Sequence, residues 1–208
     1  MARLSREFYL GDTVEIAQAL LGKYLVRRLD GEMLAGRITE TEAYVGRCDK
    51  ACHAYNYRRT PRTSTLFAPP GTAYVYLIYG MYYCFNIVAA GPEIPHAILI
   101  RAAEPVFGLS QMTARRKAKS PLTPKAKQKL LAGPGKLCQH LGIDRSFYGE
   151  DLCGLQEGTP TRVLVLADPK AAPIDVLATP RIHIDYAQEA KDFLYRFIDP
   201  QSPSLSQP

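Results

Sequence analysis

No run in this 208-residue chain approaches the eighteen or so apolar residues that a membrane-crossing helix needs. Its five cysteines (Cys48, Cys52, Cys84, Cys138 and Cys153) are odd in number and form no CxxC pair, which argues against both a disulfide framework and a paired-thiol zinc site. Cys48, Cys52 and His53 lack the second half that a tetrahedral site requires, so small packed thiols are expected and no metal. The opening residues Met-Ala-Arg-Leu-Ser-Arg-Glu have no signal-peptide core, internal repeats are absent, and Ala132-Gly-Pro-Gly-Lys136 lacks the GxxxxGK[ST] spacing of a nucleotide-binding loop. These absences lead one to expect a reduced protein of the cytoplasm, with no membrane attachment.

The composition is 47% apolar and 22% charged, as in a globular protein able to fold alone. Lys and Arg number 26 against 20 Asp and Glu, a formal +6 that favours a polyanionic partner. Much of the excess is local: Arg115, Arg116, Lys117, Lys119, Lys125, Lys127 and Lys129 lie in one stretch without an acidic residue. That stretch fits either a phosphate-tracking loop or a solvated surface segment broken by Pro121 and Pro124.

Asp12 and Glu15 have the spacing of a capping pair, and Ala17, Leu20 and Leu21 supply the apolar face of a short helix ending at Gly22. Residues 23–29, the Asp30-Gly31 turn and residues 32–40 read as a β-hairpin running toward Glu42, near a strand end. Residues 46–71 turn polar and basic, as a long functional loop does. The segment Gly71 to Asn86 holds five tyrosines in sixteen residues around Gly80-Met81. It predicts a second hairpin with Tyr79, Met81 and Tyr82 at its tip, which suits a wedge between DNA bases or ordinary half-buried sheet packing. Ala97-Ile-Leu-Ile-Arg101 predicts a buried strand that brings Arg101 to a sheet edge or cleft. Gly108 to Lys119 reads as a basic helix, and a helix starts after Gly133-Pro-Gly135. Late strands are expected at 161–166 and 181–184. The fold class is mixed α/β (α+β), a single domain over 1–198 around a curved, mainly antiparallel sheet with a protruding β-hairpin. The Ser- and Pro-rich tail, 199–208, is expected to be disordered.

Taken in order, the segments RITETEAY (37–44), DKACHAY (49–55), TPR (60–62), PGTAYVYLIYGM (70–81) and GPGKLC (133–138) resemble the alkyladenine family of 3-methyladenine DNA glycosylases over nearly the whole chain. The resemblance implies a monofunctional enzyme of base excision repair that flips an alkylated purine out of double-stranded DNA and hydrolyses its N-glycosidic bond. It puts the water-activating carboxylate at Glu42 and a partner that helps hold the water at Arg101. Tyr44 and His53 match two walls of the base pocket and Tyr76 the opposing wall; Asn86 matches an asparagine near the pocket floor that discriminates against the guanine amine. Tyr79 matches the tyrosine inserted into the minor groove. The family uses water, without metal or organic cofactor, and no lysine here is placed for a strand-nicking Schiff base. A monomer is expected. Two readings from other classes remain at this point, a non-catalytic damage-sensing module, which would need neither Glu42 nor Arg101, and a hydrolase of free nucleosides, which would leave the wedge idle.

Overall fold

The computed structural model describes residues 1–29, 31–115, 122–154 and 162–207. The Asp30 position of the first turn and the basic residues Arg116, Lys117 and Lys119 therefore lie outside the described residues.

Among the described residues nine strands make one sheet: β1 (Ala2–Arg3), β2 (Tyr24–Leu29), β3 (Glu32–Val45), β4 (Ala73–Ile78), β5 (Tyr82–Ala89), β6 (His96–Phe107), β7 (Val163–Ala167), β8 (Leu177–Thr179) and β9 (Arg196–Ile198). The main path runs β1-β7-β2-β3-β6-β5-β4, with β9 against β3 and β8 against β9. Every strand pairing is antiparallel, as the hairpin-rich sequence predicts. Among the described residues four short α-helices pack around it: α1 (Thr13–Ala19), α2 (Leu109–Ala114), α3 (Pro124–Gln128) and α4 (Pro134–Leu141). Helix α1 starts where its sequence signal lies, with the Asp12 carboxylate accepting from the backbone N–H groups of Val14 and Glu15 at 2.8 and 3.0 Å.

Because side chains alternate along a strand, register decides what each face of the sheet carries. Ala43, Ala73, Val75, Phe85, Ile87, Ile98 and Ile100 point into the main core, which α1 and α4 cover. On the opposite face, the pairings Glu42↔Leu99, Leu99↔Asn86 and Asn86↔Tyr74 lay out one row, Tyr44↔Ala97 and Ala97↔Val88 a second, and Tyr76↔Cys84 a third. Residues of the long loop, Cys52, Ala54, Leu66 and Phe67, close over this second face as a smaller apolar cluster. Each hairpin thus gives one set of residues to the core and its alternate set to a surface on which a site can be built.

Two expectations are corrected. Residues 181–184 form no strand; they run as a loop whose Ile182 N–H is bonded to Glu42, while the late pairing is made by β8 and β9. The Ser- and Pro-rich tail is ordered through residue 207, with Ser202, Ser204 and Leu205 buried. The reason is a set of partners far away in sequence: the Ser204 hydroxyl donates to the Gln128 carbonyl, Thr39 donates to the Ser204 carbonyl, and Lys129 donates to that of Leu205.

Candidate active site

The β3–β6 ladder is irregular where the chemistry-bearing residues sit. Register passes from Ile38↔Ala103 to Glu40↔Ala102 and then to Thr41↔Ile100, which leaves Thr39 extra on one strand and Arg101 extra on the other. Bulges of this kind re-aim side chains. Here the Arg101 guanidinium spans both acidic residues of β3: Nε donates to Glu40 Oε1 at 2.9 Å and Nη1 to Glu42 Oε2 at 3.3 Å.

Glu42, three residues from the end of β3, is fully covered at 0% exposure. Three donors converge on its carboxylate: the Tyr44 hydroxyl at 2.7 Å, Arg101, and the Ile182 N–H on the other oxygen at 2.8 Å. An acceptor-only carboxylate with three donors is the arrangement its chemistry favours in a buried site. Burial and the neighbouring Glu42 charge push the Tyr44 phenol well above its ordinary range, so it remains a donor.

Beside it lies a cleft of about 480 Å³ whose lining includes Tyr44, His53, Tyr76 and Arg101, the last bonded to Glu42. This is within the size range of small-molecule sites. The hairpin tip stands at its mouth: Tyr79 is 74% exposed, with φ of 52°, and Gly80 follows with φ of 69°. Two consecutive positive φ values make the tight twisted turn that joins β4 to β5, and a tyrosine held there carries strain of the sort that collects at functional sites. The start of α4 forms the adjacent wall. A Cβ at Gly135 would approach the Tyr82 ring to 3.0 Å, so a glycine permits that closeness.

The rings of His53, Tyr74 and Tyr76 form one group. His53 and Tyr76 meet edge-on with centroids 4.6 Å apart, and Arg62 lies over the Tyr76 ring at 5.3 Å. Tyr74, whose oxygen interacts with Arg62, is hydrogen-bonded to His53 Nδ1 at 2.9 Å. Burial, and then the Arg62 charge, push the His53 imidazole down to about 4. One edge of the ring is open to the cleft, so water moderates this shift, but its direction leaves a neutral histidine at pH 7. The expected result is an NMR titration midpoint for His53 below 6. Between pH about 6.5 and 4 the unfolded chain takes up a proton that the folded chain refuses, so His53 stability is full above 6.5 and lost as pH falls toward 4. A midpoint above 6.5 would contradict it.

Asn86, 3% exposed, lines together with Tyr44, His53, Tyr74 and Tyr76 a cavity of about 20 Å³ that has room for roughly one water. Its amide donates to the backbone carbonyls of Tyr74 at 3.0 Å and Cys84 at 3.5 Å.

Several contributors were not identified from sequence. Asp49 and Arg181, whose side chains are both 0% exposed, pair at 2.5 and 2.7 Å, and the guanidinium packs 4.7 Å from the Tyr44 ring centre. His183, Tyr186, Ser206 and Gln207 also line the cleft. Only Glu40 had a local signal, its position two residues before Glu42 on the same strand face. Among the described residues no helix is long and apolar enough to cross a membrane, and no group of three or more His, Cys, Asp or Glu is arranged to hold a metal.

Comparison with known proteins converges on one family. The family model for methylpurine-DNA glycosylase (MPG) matches residues 7–203. A protein of Desulfitobacterium hafniense is 44% identical over 200 residues, 95% of each chain, and one of Alkaliphilus oremlandii 46% identical over 206 residues, 98% of each. A Bacillus cereus protein is 46% identical over 200 residues, 96% of each. All three carry the provisional name 3-methyladenine DNA glycosylase.

Proposed function

The chain belongs to the methylpurine-DNA glycosylase family, and from that premise we propose that it is a monofunctional glycosylase that removes alkylated purines, 3-methyladenine and 7-methylguanine foremost, from duplex DNA. The observation that carries this reading is the juxtaposition of an aromatic-walled cleft, an exposed tyrosine at its mouth, and a buried Arg101–Glu42 pair beneath it.

Tyr79 enters the minor groove and takes the place of the purine as it turns out, offsetting the few kcal/mol of stacking and pairing lost. The purine enters the cleft lined by Tyr44, His53 and Tyr76, where aromatic faces attract a ring that alkylation has made cationic. Glu42 takes a proton from a water held with Arg101 while the water oxygen bonds to C1′ of the deoxyribose. The C1′–N bond breaks, its electron pair neutralises the purine cation, and an abasic site remains. A positive leaving group needs no separate acid, and the balance closes with water alone. Hypoxanthine and ethenoadenine, which are neutral, require a proton donor in addition and extend the proposal to slower substrates. The protein acts as a monomer, and Asn86, lining the small cavity that Tyr44, His53 and Tyr76 share, refuses the guanine amine by leaving it no room.

The test is incubation of the protein with duplex DNA containing 3-methyladenine or 7-methylguanine, in EDTA, with free base measured. Release of base is expected. Tight binding without release would favour a damage-sensing module instead.

A further inference from the structure

The tail residues Leu205 to Gln207 are bonded into the back of the cleft, through Glu40. Ser206 donates to that carboxylate twice, from its backbone N–H to Oε2 at 2.7 Å and from its hydroxyl to Oε1 at 2.7 Å. The same hydroxyl oxygen accepts from Arg101 Nη2 at 3.3 Å. Arg196, on β9, donates Nε to Glu40 Oε1 at 2.8 Å and Nη2 to the Gln207 carbonyl at 2.6 Å.

Arg101 is therefore gripped on three sides, Nε by Glu40, Nη2 by Ser206 and Nη1 by Glu42. A guanidinium is a rigid planar fork on a flexible stem, so fixing two of its edges determines where the third points. We propose that Glu40 and the tail segment around Ser206 are the positioning elements for Arg101, holding its Nη1 on Glu42 and on the water that Glu42 activates. Glu40 itself serves as an anion and not as a second acid. Although burial opposes its charge, Arg101, both Ser206 bonds and Arg196 outweigh that and hold its carboxyl below the usual range. Thr39, the bulged residue beside Glu40, donates to the tail at Ser204, so the irregularity that re-aims Arg101 also anchors the segment that holds it.

This inference rests on the glycosylase reading for its activity test, and a separate signal keeps the two apart. Ser206→Ala, Ser206→Thr and a chain ended at Pro203 are compared with wild type for single-turnover release of 7-methylguanine and for binding to duplex DNA carrying a tetrahydrofuran abasic analogue. Loss of charged hydrogen bonds of this kind predicts a rate about 10- to 100-fold lower for the shortened chain and about 3- to 10-fold lower for Ser206→Ala. Binding should stay within about twofold, because the phosphate contacts that dominate it are untouched. Ser206→Thr, which keeps the hydroxyl, should recover most of the rate. Wild-type rates in a folded Ser206→Ala protein, or loss in Ser206→Thr equal to that in Ser206→Ala, would overturn the proposal. If the shortened chain does not fold, the Ala and Thr pair decides. The ¹⁵N signal of Arg101 Nε–H, sharp and protected in wild type and broadened in Ser206→Ala, tests the grip without any reaction. Should wild type release no base, the glycosylase reading falls and this signal alone upholds or refutes the positioning role.

Discussion

Glu42→Gln is expected to reduce single-turnover base release by about 10²- to 10⁴-fold, the usual contribution of a positioned general base, while binding to modified duplex DNA is nearly unchanged. The substitution looks conservative in volume but is not so in hydrogen bonding. All three partners of Glu42 are donors in the native arrangement, the Tyr44 hydroxyl, Arg101 and the Ile182 N–H. A glutamine oxygen can keep only one side of that set, and its NH₂ group then confronts either the Ile182 N–H or Arg101. Tyr44 can rotate its hydroxyl to accept; a guanidinium and a backbone amide cannot. A stability cost of about 1–3 kcal/mol should accompany the rate loss, from donors left facing a donor in a buried site. The two effects separate by assay: folded fraction and DNA affinity report the first, single-turnover rate at saturating enzyme the second. A variant retaining more than about a tenth of the wild-type rate would remove Glu42 from the role of base and leave electrostatic stabilisation as its largest possible share.

The contrast between Glu42 and the tail shows which parts of this architecture can be read in advance. The β4–β5 hairpin is legible because its pattern is local: alternating β-favouring residues on both sides of a glycine, with one face for the core and one for the cleft. The same locality gives α1, capped by Asp12 three residues before Glu15. The position of Arg101 at the end of an apolar run was visible too, but not its reach to Glu40 and Glu42, which depends on two strand irregularities with no sequence mark. Glu42, near the end of β3, is buried because Ile182 and β9 arrive from more than a hundred residues away to cover it. Strands β8 and β9, three residues each, are too short to show periodicity. The tail has the composition of a disordered segment. It is ordered by buried charges elsewhere, and neither Glu40 nor Arg196 announces in sequence that it awaits a partner at Ser206 or Gln207.

The largest effect on stability is expected at Asp49→Asn, a position with no direct part in the chemistry. Asp49 and Arg181 are both wholly buried, and the carboxylate receives the guanidinium at both oxygens, 2.5 and 2.7 Å away. It also accepts the backbone N–H groups of Val45 and Ala51, each at 3.0 Å, where β3 gives way to the long loop. Arg181 in turn donates to the carbonyls of Ala43 and Ala190, and its Nε has no hydrogen-bond partner among the described residues. Its desolvation is thus already incompletely compensated, and Asp49 carries most of what compensation there is. Asparagine would remove the opposing charge and set an NH₂ against donors, leaving a buried cation alone. Breaking one partner of a buried pair costs about 3–5 kcal/mol, which for a chain of this size lowers Tm by roughly 6–20 °C. Denaturant unfolding followed by circular dichroism measures it, and a loss below about 1 kcal/mol would mean that water reaches the pair after all. Replacing both partners by apolar residues, Asp49→Leu with Arg181→Met, should recover part of the loss, since the penalty lies in the unpaired charge. Activity need not follow stability back. Arg181 packs against the Tyr44 ring at 4.7 Å and the Tyr195 ring at 5.4 Å, and Tyr44 both walls the cleft and donates to Glu42. The double variant should therefore fold better than Asp49→Asn and still release base more slowly than wild type, because the guanidinium that backs one wall of the purine site is gone.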